Sequence, residues 1–388
     1  MRINMLINKC VRHTKWVINS VCGFYRFKKI LNRSSCVFIS HNGDSAGGAP
    51  VVLFELMRTL KEEHMIFLCE KPGGIINQCG EEHIPAFCTY LLQNKYLEEI
   101  KKAKVKAVIV NTLAAYNSIQ FFNSKDTNIP VLWWVHEERG LIERYSSKVP
   151  LEINKKIHIL CVSSSVETDL LELCPQCEGY TNILYYGCKD LFNGKHEYNK
   201  NKDDFVISVI GRICKRKNQM QIIEAYKNLP SAYRKKIYIY FISASCDKNY
   251  KKEMIAAIGE DTHFKFEGPI KRENMPRIYE QSALIVCPSI DDPLPVVVTE
   301  ALMLMCPVIT SSRTGQFSII KDGVNAFSYE VDSVKQLCQK IQKVYDTDDL
   351  TAILREGRET YLQYFSPDVV NRNFTKYLKQ AIGEANSD

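Results

Sequence analysis

The stretch from Ala283 to Thr310, ALIVCPSIDDPLPVVVTEALMLMCPVIT, constrains the fold of this chain more than any other. Its first residues, Ala283 to Val286, are apolar throughout and predict a strand that is buried on both faces. Pro295 then begins a segment whose apolar residues recur at helical spacing, and Pro307 to Thr310 is again apolar. A strand, a helix and a strand in this order predict a parallel sheet, which binds ligands at the carboxyl ends of its strands.

The helix of this unit is suited to a nucleotide sugar. Its N-terminus, at Pro295, Val296 and Val297, offers backbone amides and a partial positive charge to a phosphate. Glu300 lies about one and a half turns further on, where its carboxylate can accept hydrogen bonds from the two hydroxyls of a ribose. Asp292 lies in the loop before the helix, within reach of another part of the ligand. The residues alone equally allow Asp292 to be a helix N-cap and Glu300 to be a solvated helix residue.

A basic loop follows a second predicted strand, Phe205 to Ile210. The loop has the sequence GRICKRKNQ. Arg212 can form two parallel hydrogen bonds with a diphosphate, and Lys217 adds a point charge beside it. We expect Lys215 and Arg216 to face solvent. A solvated basic loop without a ligand is the alternative.

The first half of the chain also alternates apolar strands with helical segments, which predicts a parallel sheet covered by helices on both faces. Cys36 to Ser40 is a strand followed by the loop HNGDSAGGAP, in which Gly47 and Gly48 permit a close backbone approach to a ligand. A plain tight turn is the alternative. His136 ends the apolar run that begins at Val131, on the ligand side of the sheet, although a lone His is more often structural.

Length and composition are those of a soluble globular protein. The 388 residues suffice for two domains, and 45% are hydrophobic and 24% charged. No apolar run reaches the ~18 residues of a membrane-spanning helix, and we expect no cleavable secretory signal. Fifteen cysteines without a regular framework fit a reducing cytosol. The pair Cys174 and Cys177 lacks the two further ligands of a zinc site, so a metal or redox role is a minor alternative.

The net charge of +7 belongs to the N-terminal arm, residues 1–35, which contains eight Lys or Arg and no Asp or Glu. Aromatic and aliphatic residues alternate with these basic residues, so a helix here would be amphipathic. Such a helix suits the surface of an anionic membrane. Packing on the body of the protein is the main alternative, and nucleic-acid binding is a weaker one because no nucleic-acid motif is present.

Four motifs resemble those of family 4 glycosyltransferases, in the family's order. Gly48-Ala-Pro-Val-Val resembles the first glycine loop, His136-Glu137 the His-acid step, and Arg212 with Lys217 the Gly-Arg motif with Lys five positions later. The segment from Asp292 to Glu300 resembles the acidic motif of two Glu residues separated by seven. Asp replaces the first Glu here, and Pro293-Leu294-Pro295 replaces Gly-aromatic-Gly.

The resemblance covers about 350 residues and implies a GT-B architecture, in which two Rossmann-like domains with parallel sheets face each other across a cleft. The first would bind the acceptor and the second the donor. The expected organisation is an arm at 1–35, an acceptor domain at 36–190, a linker at 191–204, a donor domain at 205–366 and a C-terminal helix at 367–388 that crosses back to the first domain.

The resemblance also implies a function. A retaining enzyme would move a sugar from a UDP- or GDP-linked donor to a hydroxyl of a lipid-linked or growing glycan, in bacterial capsule, lipopolysaccharide or exopolysaccharide synthesis. The implied catalytic residues are His136, Asp292, Arg212 and Lys217, and the implied donor-binding residues are Gly47, Gly48, Arg212, Lys217, Pro295, Val296, Val297 and Glu300.

No Asp-x-Asp motif is present in a suitable loop, so we expect neither a required metal nor another cofactor. The predicted location is the cytoplasm, peripheral on the inner face of the cytoplasmic membrane. Two alternatives remain at this stage. One is a Rossmann-type oxidoreductase or epimerase, against which the lack of a dinucleotide glycine fingerprint argues. The other is a glycosyltransferase-like membrane scaffold without turnover.

Overall fold

The structure is a computed structural model that describes residues 2–45, 48–60, 64–124, 127–194 and 204–386; for residues 2–13, 15 and 386 it describes the backbone only. Gly47 therefore lies outside the described residues. The chain forms two compact units. One comprises the chain up to Val162, Val166–Tyr186 and the chain from Val370 onward, and the other comprises Ser163–Ser165 and Gly187–Val369.

The first unit is built on a seven-stranded parallel sheet with the order β3-β2-β1-β4-β5-β6-β7. In its centre Phe38 of the first strand lies beside Phe67 on one side and Ile109 on the other. The strands are β1 (Cys36–Ser40), β2 (Met65–Cys69), β3 (Ala86–Cys88), β4 (Ala107–Asn111), β5 (Val131–Val135), β6 (Ile157–Cys161) and β7 (Thr181–Ile183).

Helices connect these strands, as parallel pairing requires. They are α1 (Arg2–Ile30), α2 (Gly48–Thr59), α3 (Gly74–Glu81), α4 (Gln93–Ala103), α5 (Tyr116–Phe122), α6 (Arg139–Ser146) and α7 (Ser164–Leu173).

The second unit has a six-stranded parallel sheet with the order β10-β9-β8-β11-β12-β13. Its strands are β8 (Phe205–Ile210), β9 (Ile237–Ile242), β10 (Phe264–Glu267), β11 (Leu284–Cys287), β12 (Val308–Ser311) and β13 (Phe327–Tyr329). Its helices are α8 (Gln219–Asn228), α9 (Ser231–Arg234), α10 (Lys248–Ile258), α11 (Met275–Gln281), α12 (Val296–Met303), α13 (Val334–Asp346) and α14 (Thr351–Tyr364). The last helix, α15 (Pro367–Asn386), begins in this unit and belongs to the first unit from Val370 onward.

Two Rossmann-like parallel sheets confirm the fold class predicted from the sequence. The predicted strands Cys36 to Ser40 and Phe205 to Ile210 have these bounds in the structure. Helix α12 begins at Val296 with Pro295 as its N-cap, one residue later than predicted. The predicted boundary of the first domain was 190, but Asp190 forms an ion pair with Arg358 inside the second unit.

Helix α1 is continuous through Gly23 and packs on the edge strand of the first sheet. Phe27 is fully buried against Phe87, with ring centroids 5.7 Å apart. The Tyr96 hydroxyl donates to the Ser20 carbonyl oxygen at 3.0 Å. The second half of the arm is therefore part of the folded unit, as the packing alternative predicted. Among the described residues, no helix has both the length and the apolar content needed to cross a membrane.

Candidate functional site

The candidate donor site lies where the strand order of the second sheet changes direction, between β8 and β11. Doubly wound sheets bind ligands at such a point, outside the carboxyl ends of the strands. The loop after β8 carries Arg212 and Lys217, and the loop after β11 carries Asp292. The loops contact each other, because the Ile290 amide donates to the Arg216 carbonyl oxygen at 2.9 Å. Strand order thus brings together residues that are about 75 positions apart in the chain.

Gln219 fixes the shape of the basic loop. Its side-chain amide donates to the Arg212 carbonyl oxygen at 2.9 Å, and its own side-chain oxygen accepts from the Cys214 amide at 3.4 Å. Gly211 has a φ of +140°, a conformation that favours glycine, where the chain leaves β8. The Arg212 side chain is exposed and pairs with no carboxylate in the described part of the chain. Its guanidinium is therefore available to an anionic ligand.

Lys217 and Asp292 form an ion pair in which Nζ donates to Oδ2. Both side chains are largely buried. Burial alone would lower the pKa of Lys217, but the Asp292 carboxylate raises it above its usual value, so the ammonium stays charged at neutral pH. The two residues were expected to reach different parts of a ligand. The structure instead presents them as one contacting pair.

The prediction that Arg216 faces solvent is wrong. Its Nη1 donates to the Asp291 carbonyl oxygen at 2.6 Å and lies 3.8 Å from Asp292 Oδ1. Arg216 therefore adds a second cation beside the Asp292 carboxylate. Lys215 is exposed, as predicted.

The loop that carries Asp292 is locked against the loop after β12. The Gly315 amide donates to the Asp292 carbonyl oxygen at 2.9 Å, and the Asp292 amide donates to the Arg313 carbonyl oxygen at 3.0 Å. A Cβ added at Gly315 would lie only 1.8 Å from the Pro293 carbonyl oxygen. Only glycine permits this approach, so Gly315 determines where Asp292 is held.

The N-terminus of α12 has no side-chain cap, and Val296 and Val297 are partly exposed there. Gln316 supports this turn, because its amide donates to the Pro295 carbonyl oxygen at 2.9 Å and to Thr299 Oγ1 at 3.0 Å. The other Gln316 atom, Oε1, is buried without a hydrogen-bond partner among the described residues. These uncapped amides follow closely after Asp292, the partner of Lys217, and they are suited to a phosphate.

Glu300 is 5% exposed, so the alternative of a solvated helix residue is wrong. Its Oε2 accepts from the Tyr279 hydroxyl at 2.6 Å, and its Oε1 lies 3.8 Å from Arg272 Nη2. Burial raises the pKa of Glu300 despite these two partners. Tyr279 holds one carboxylate oxygen, which leaves Oε1 the freer of the two for ligand hydroxyls.

In the first unit, polar groups collect at the carboxyl ends of β1, β4 and β5. The His136 ring stacks beside Tyr186, and its Nε2 is buried without a hydrogen-bond partner among the described residues. Asn111 Oδ1 is likewise buried and unpaired within those residues. Burial lowers the pKa of His136 to about 3, so the imidazole is neutral at physiological pH. This edge therefore offers neutral hydrogen-bonding groups rather than charge.

Thr112, which follows β4, has a φ of +76°, which is strained for a β-branched residue. Its backbone is held by Trp133 Nε1, which donates to its carbonyl oxygen at 3.0 Å, and by the Trp134 carbonyl oxygen, which accepts from its amide at 2.8 Å. The strain places Thr112 Oγ1 3.0 Å from His41 Nδ1. His41 was not predicted from the sequence, and it extends the same polar edge.

Glu137 stabilises the backbone of this polar edge. Its Oε2 accepts from the His136 amide at 2.9 Å and its Oε1 accepts from the Leu113 amide at 2.7 Å. Burial raises the pKa of Glu137 to about 7. Glu137 thus positions the loop of His136 and is itself too enclosed to meet a ligand.

The folded chain binds the Glu137 proton more tightly than the unfolded chain, so its contribution to stability falls as pH rises from about 4.5 to about 7. Glu137→Gln removes this titration. The compared quantity is the unfolding free energy of the wild type minus that of the variant. We expect this difference to be larger at about pH 5 than at about pH 8, by on the order of 1–3 kcal/mol. Urea unfolding of both proteins measures this, and His136 titrates equally in both. An equal difference at the two pH values would contradict the prediction.

A protein-family profile matches most of the second unit. Residues 193–359 match the family profile described as "Glycosyl transferases group 1". The matched residues make up less than half of the chain, so the match shows a likeness of this part to that family. The resemblance predicted from the sequence is thereby confirmed for this part of the chain.

The curated relatives of this chain are remote. The chain is 25% identical over 248 residues to the capsular polysaccharide biosynthesis glycosyltransferase CapM of Staphylococcus aureus, covering 58% of this chain and 63% of CapM. It is 22% identical over 187 residues to the uncharacterized glycosyltransferase MJ1607 of Methanocaldococcus jannaschii, covering 45% of this chain and 47% of that protein. Both matches thus span less than two thirds of these relatives.

Solved structures extend the comparison to both units. Anabaena Alr3699/HepE, in complex with UDP and glucose, aligns with a TM-score of 0.72 and 16% identity, covering 89% of this chain and all of that chain. At this identity the match shows the fold alone, and it confirms the two Rossmann-like domains with parallel sheets.

The structure also locates Gly48 and the pair Cys174 and Cys177, and it bears on a possible metal site. Gly48 is the first residue of α2, and a Cβ there would meet nothing within 4 Å, so the fold itself does not require glycine at that position. Cys174 and Cys177 are buried free thiols, and burial raises the pKa of Cys177 to about 12. Within the described residues, no three His, Cys, Asp or Glu side chains gather as a metal site. The independence from metal remains a prediction.

Proposed function

We propose that this chain is a retaining family 4 glycosyltransferase that moves a sugar from a UDP- or GDP-linked donor to a hydroxyl of a lipid-linked or growing surface glycan. One observation carries the proposal: two cationic loop residues, an uncapped helix N-terminus and a buried carboxylate lie around one switch point of the second sheet. The cations and the helix N-terminus match a diphosphate, and the carboxylate matches a ribose. The structures of Anabaena HepE in complex with UDP and with UDP-glucose agree with such a donor.

In this proposal Arg212, Lys217 and the amides at Val296 and Val297 stabilise the negative charge that grows on the departing diphosphate. The bond between the anomeric carbon and the phosphate oxygen breaks while the acceptor hydroxyl attacks from the same face. The hydroxyl proton passes to the departing phosphate oxygen, which keeps the bonding electron pair. This accounts for retention without a carboxylate nucleophile.

Asp292 serves two purposes in this scheme. Its carboxylate orients Lys217 before the donor binds, and it then accepts hydrogen bonds from sugar hydroxyls while Lys217 turns to the phosphate. Neutral His136 in the first unit supplies a hydrogen bond to the acceptor without adding charge. Glu300 holds the ribose.

Tyr279 is a positioning residue for Glu300, so Tyr279→Phe is expected to weaken donor binding about tenfold while it leaves the maximal rate nearly unchanged. A hydrogen bond to a charged group contributes about 1.5–3 kcal/mol, and only part of this reaches the ligand. Donor titration calorimetry and initial rates separate the two effects. Tyr226→Phe is the matched control, because the Tyr226 hydroxyl bonds to the Arg234 carbonyl oxygen, in a contact that involves none of the donor-site residues. Equal effects in the two variants would exclude this role.

The membrane proposal rests on the outer face of α1. Ile18, Val21 and Tyr25 lie three and four residues apart and are 55%, 41% and 66% exposed. Arg26, Lys28 and Lys29 flank them, so an apolar stripe with a basic rim faces away from the packed side of the helix. We propose that this stripe rests on the anionic inner face of the cytoplasmic membrane. Ile18→Gln with Tyr25→Gln should then reduce sedimentation with phosphatidylglycerol vesicles, and unchanged sedimentation would reject the proposal.

The function is tested by incubating the protein with a panel of nucleotide sugars and a lipid extract, with and without EDTA. We expect binding of UDP or GDP but not NAD, and hydrolysis or transfer with one of the sugars that EDTA does not abolish. Binding without any hydrolysis or transfer would instead favour a scaffold. Loss of activity in EDTA would refute the expected independence from metal.

A further inference from the structure

A basic cavity lies at the opposite end of the first sheet from the polar groups of β1, β4 and β5. It encloses about 940 Å³ between the end of α4, the residues that precede β4 and β5, and the end of α15. Val105 and Lys106 come immediately before β4, and Ile129 and Pro130 come before β5. The cavity therefore lies at the amino ends of these strands. Five-residue strands separate it from the carboxyl ends by roughly 16 Å.

The lining is strongly basic. Among the described residues, the lining contains one carboxylate, Glu98, and five basic side chains, which are Arg33, Lys101, Lys102, Lys104 and Lys106. The dipole of α4 explains the cations at its carboxyl end, which are Lys101 and Lys102 in the last turn and Lys104 as the C-cap. It does not explain Arg33 and Lys106, which lie outside that helix.

Glu99, which follows Glu98 on α4, is already engaged. It pairs with Lys102 at 3.0 Å and with Lys28 at 3.3 Å. These two hydrogen-bonded lysines lower the pKa of Glu99, which holds it ionised. The pair of Lys28 with Glu99 also joins the end of α1 to α4. The positive charge of Arg33 and Lys104 is therefore not offset by Glu99.

The backbone of Lys104 has an unusual conformation. Its φ of +48° is the left-handed conformation that usually belongs to Gly or Asn after a helix. A lysine here strains the backbone and adds charge to the mouth of the cavity. The opposite wall is partly apolar, with Ile129, Pro130 and Ile382. A ligand with an anionic group and an apolar part matches both walls, and the volume lies within the usual range for small-molecule sites.

We propose that this cavity binds a phosphate ester, at a site separate from the proposed sugar-transfer site. The phosphate would be held by Arg33 and Lys104, and the apolar part of the ester would lie against Ile129 and Pro130. The ester is either the headgroup of a membrane phospholipid or a free phosphate compound. The proposal does not depend on the identity of the transfer reaction.

Lysine footprinting tests the site directly. The intact protein is acylated with an N-hydroxysuccinimide ester alone, with inorganic phosphate, with phosphatidylcholine vesicles and with vesicles that also contain phosphatidylglycerol. Mass spectrometry then compares Lys101, Lys104 and Lys106 with Lys95 and Lys235, which lie outside the cavity. Protection by inorganic phosphate identifies a soluble phosphate ligand. Protection by the phosphatidylglycerol vesicles alone identifies a lipid headgroup.

Two double variants measure how much the charges of the cavity contribute to ligand binding. Arg33→Gln with Lys104→Asn removes two charges, and Asn tolerates the left-handed backbone. We expect this variant to bind the protecting ligand on the order of 25-fold more weakly, about fivefold for each charge. Lys95→Gln with Lys235→Gln, which removes the same charge elsewhere, should bind as the wild type does. No protection by any ligand, equal protection by both kinds of vesicle, or equal weakening in the two variants would overturn the proposal.

Discussion

Lys217→Met is expected to lower the rate of sugar transfer by on the order of a hundredfold or more, because it removes a cation placed to stabilise the departing diphosphate. Arg212→Ala should lower the rate by a similar factor. Steady-state rates with a saturating nucleotide sugar measure both losses. Lys215→Ala is the matched control, since Lys215 belongs to the same loop but is exposed. Its rate should be unchanged.

Stability separates the chemical effect of Lys217→Met from damage to the fold. The variant leaves the Asp292 carboxylate buried without its main partner, and breaking a buried pair costs up to about 3–5 kcal/mol. Arg216 and Ser289, at 3.8 and 3.4 Å from the carboxylate oxygens, reduce this cost. Adding Asp292→Asn should therefore restore much of the unfolding free energy but not the rate. Recovery of the rate in the double variant would show that Lys217 acts only through Asp292.

The charge of Lys217 should not set the pH dependence of the reaction. Its pKa in the folded chain is above the usual value of about 10.5, so the ion pair keeps its full contribution to stability below that pH. The contribution is lost only as pH rises through the raised pKa. Between neutral pH and mildly alkaline pH, activity changes must therefore come from other groups.

Gly315→Ala is expected to reduce the rate by about a hundredfold through displacement of the loop of Asp292, since a shift near 1 Å at a reacting group has an effect of this size. The new Cβ would lie 1.8 Å from the Pro293 carbonyl oxygen, so one of the two loops must move. We also expect a loss of about 1–3 kcal/mol in unfolding free energy, which is typical of overpacking. Urea unfolding and initial rates measure the two effects.

Gly268→Ala controls for the glycine substitution itself. A Cβ at Gly268 would meet no atom within 4 Å, and its φ is not in the left-handed region. This variant should keep both its rate and its stability. A fully active Gly315→Ala protein would show that the contact between the loops does not position Asp292.

Much of the donor site was predictable from the sequence, because its residues lie at fixed distances from strands and helices that the apolar pattern marks. Arg212 and Lys217 follow β8, and Glu300 lies inside α12, whichever strands are neighbours. Arg216 was mispredicted because its partner is a backbone oxygen of Asp291, 75 residues away. That contact exists only because β8 lies beside β11, and local patterns carry no information on strand order.

The partner of Glu300 could not be inferred for the same reason. Tyr279 belongs to α11, and its hydroxyl reaches Glu300 only through the packing of α11 beside α12. The short edge strands Ala86–Cys88 and Thr181–Ile183 were also missed, because three residues are too few for a periodic pattern to emerge. In the first unit His41 carried no signal beyond its place after a strand.

The packing of α1 bears on how any study of the N-terminal arm should be designed. Strand β3 forms one border of the first sheet, and α1 lies over it with Phe27 against Phe87. A shortened protein without α1 would present an unprotected border strand and bare aromatic rings to other molecules, which invites self-association. A loss of vesicle binding after truncation would then have two explanations, the lost lipid contact and self-association. Substitutions on the outward stripe of α1 leave the covering intact, so they report on lipid contact alone.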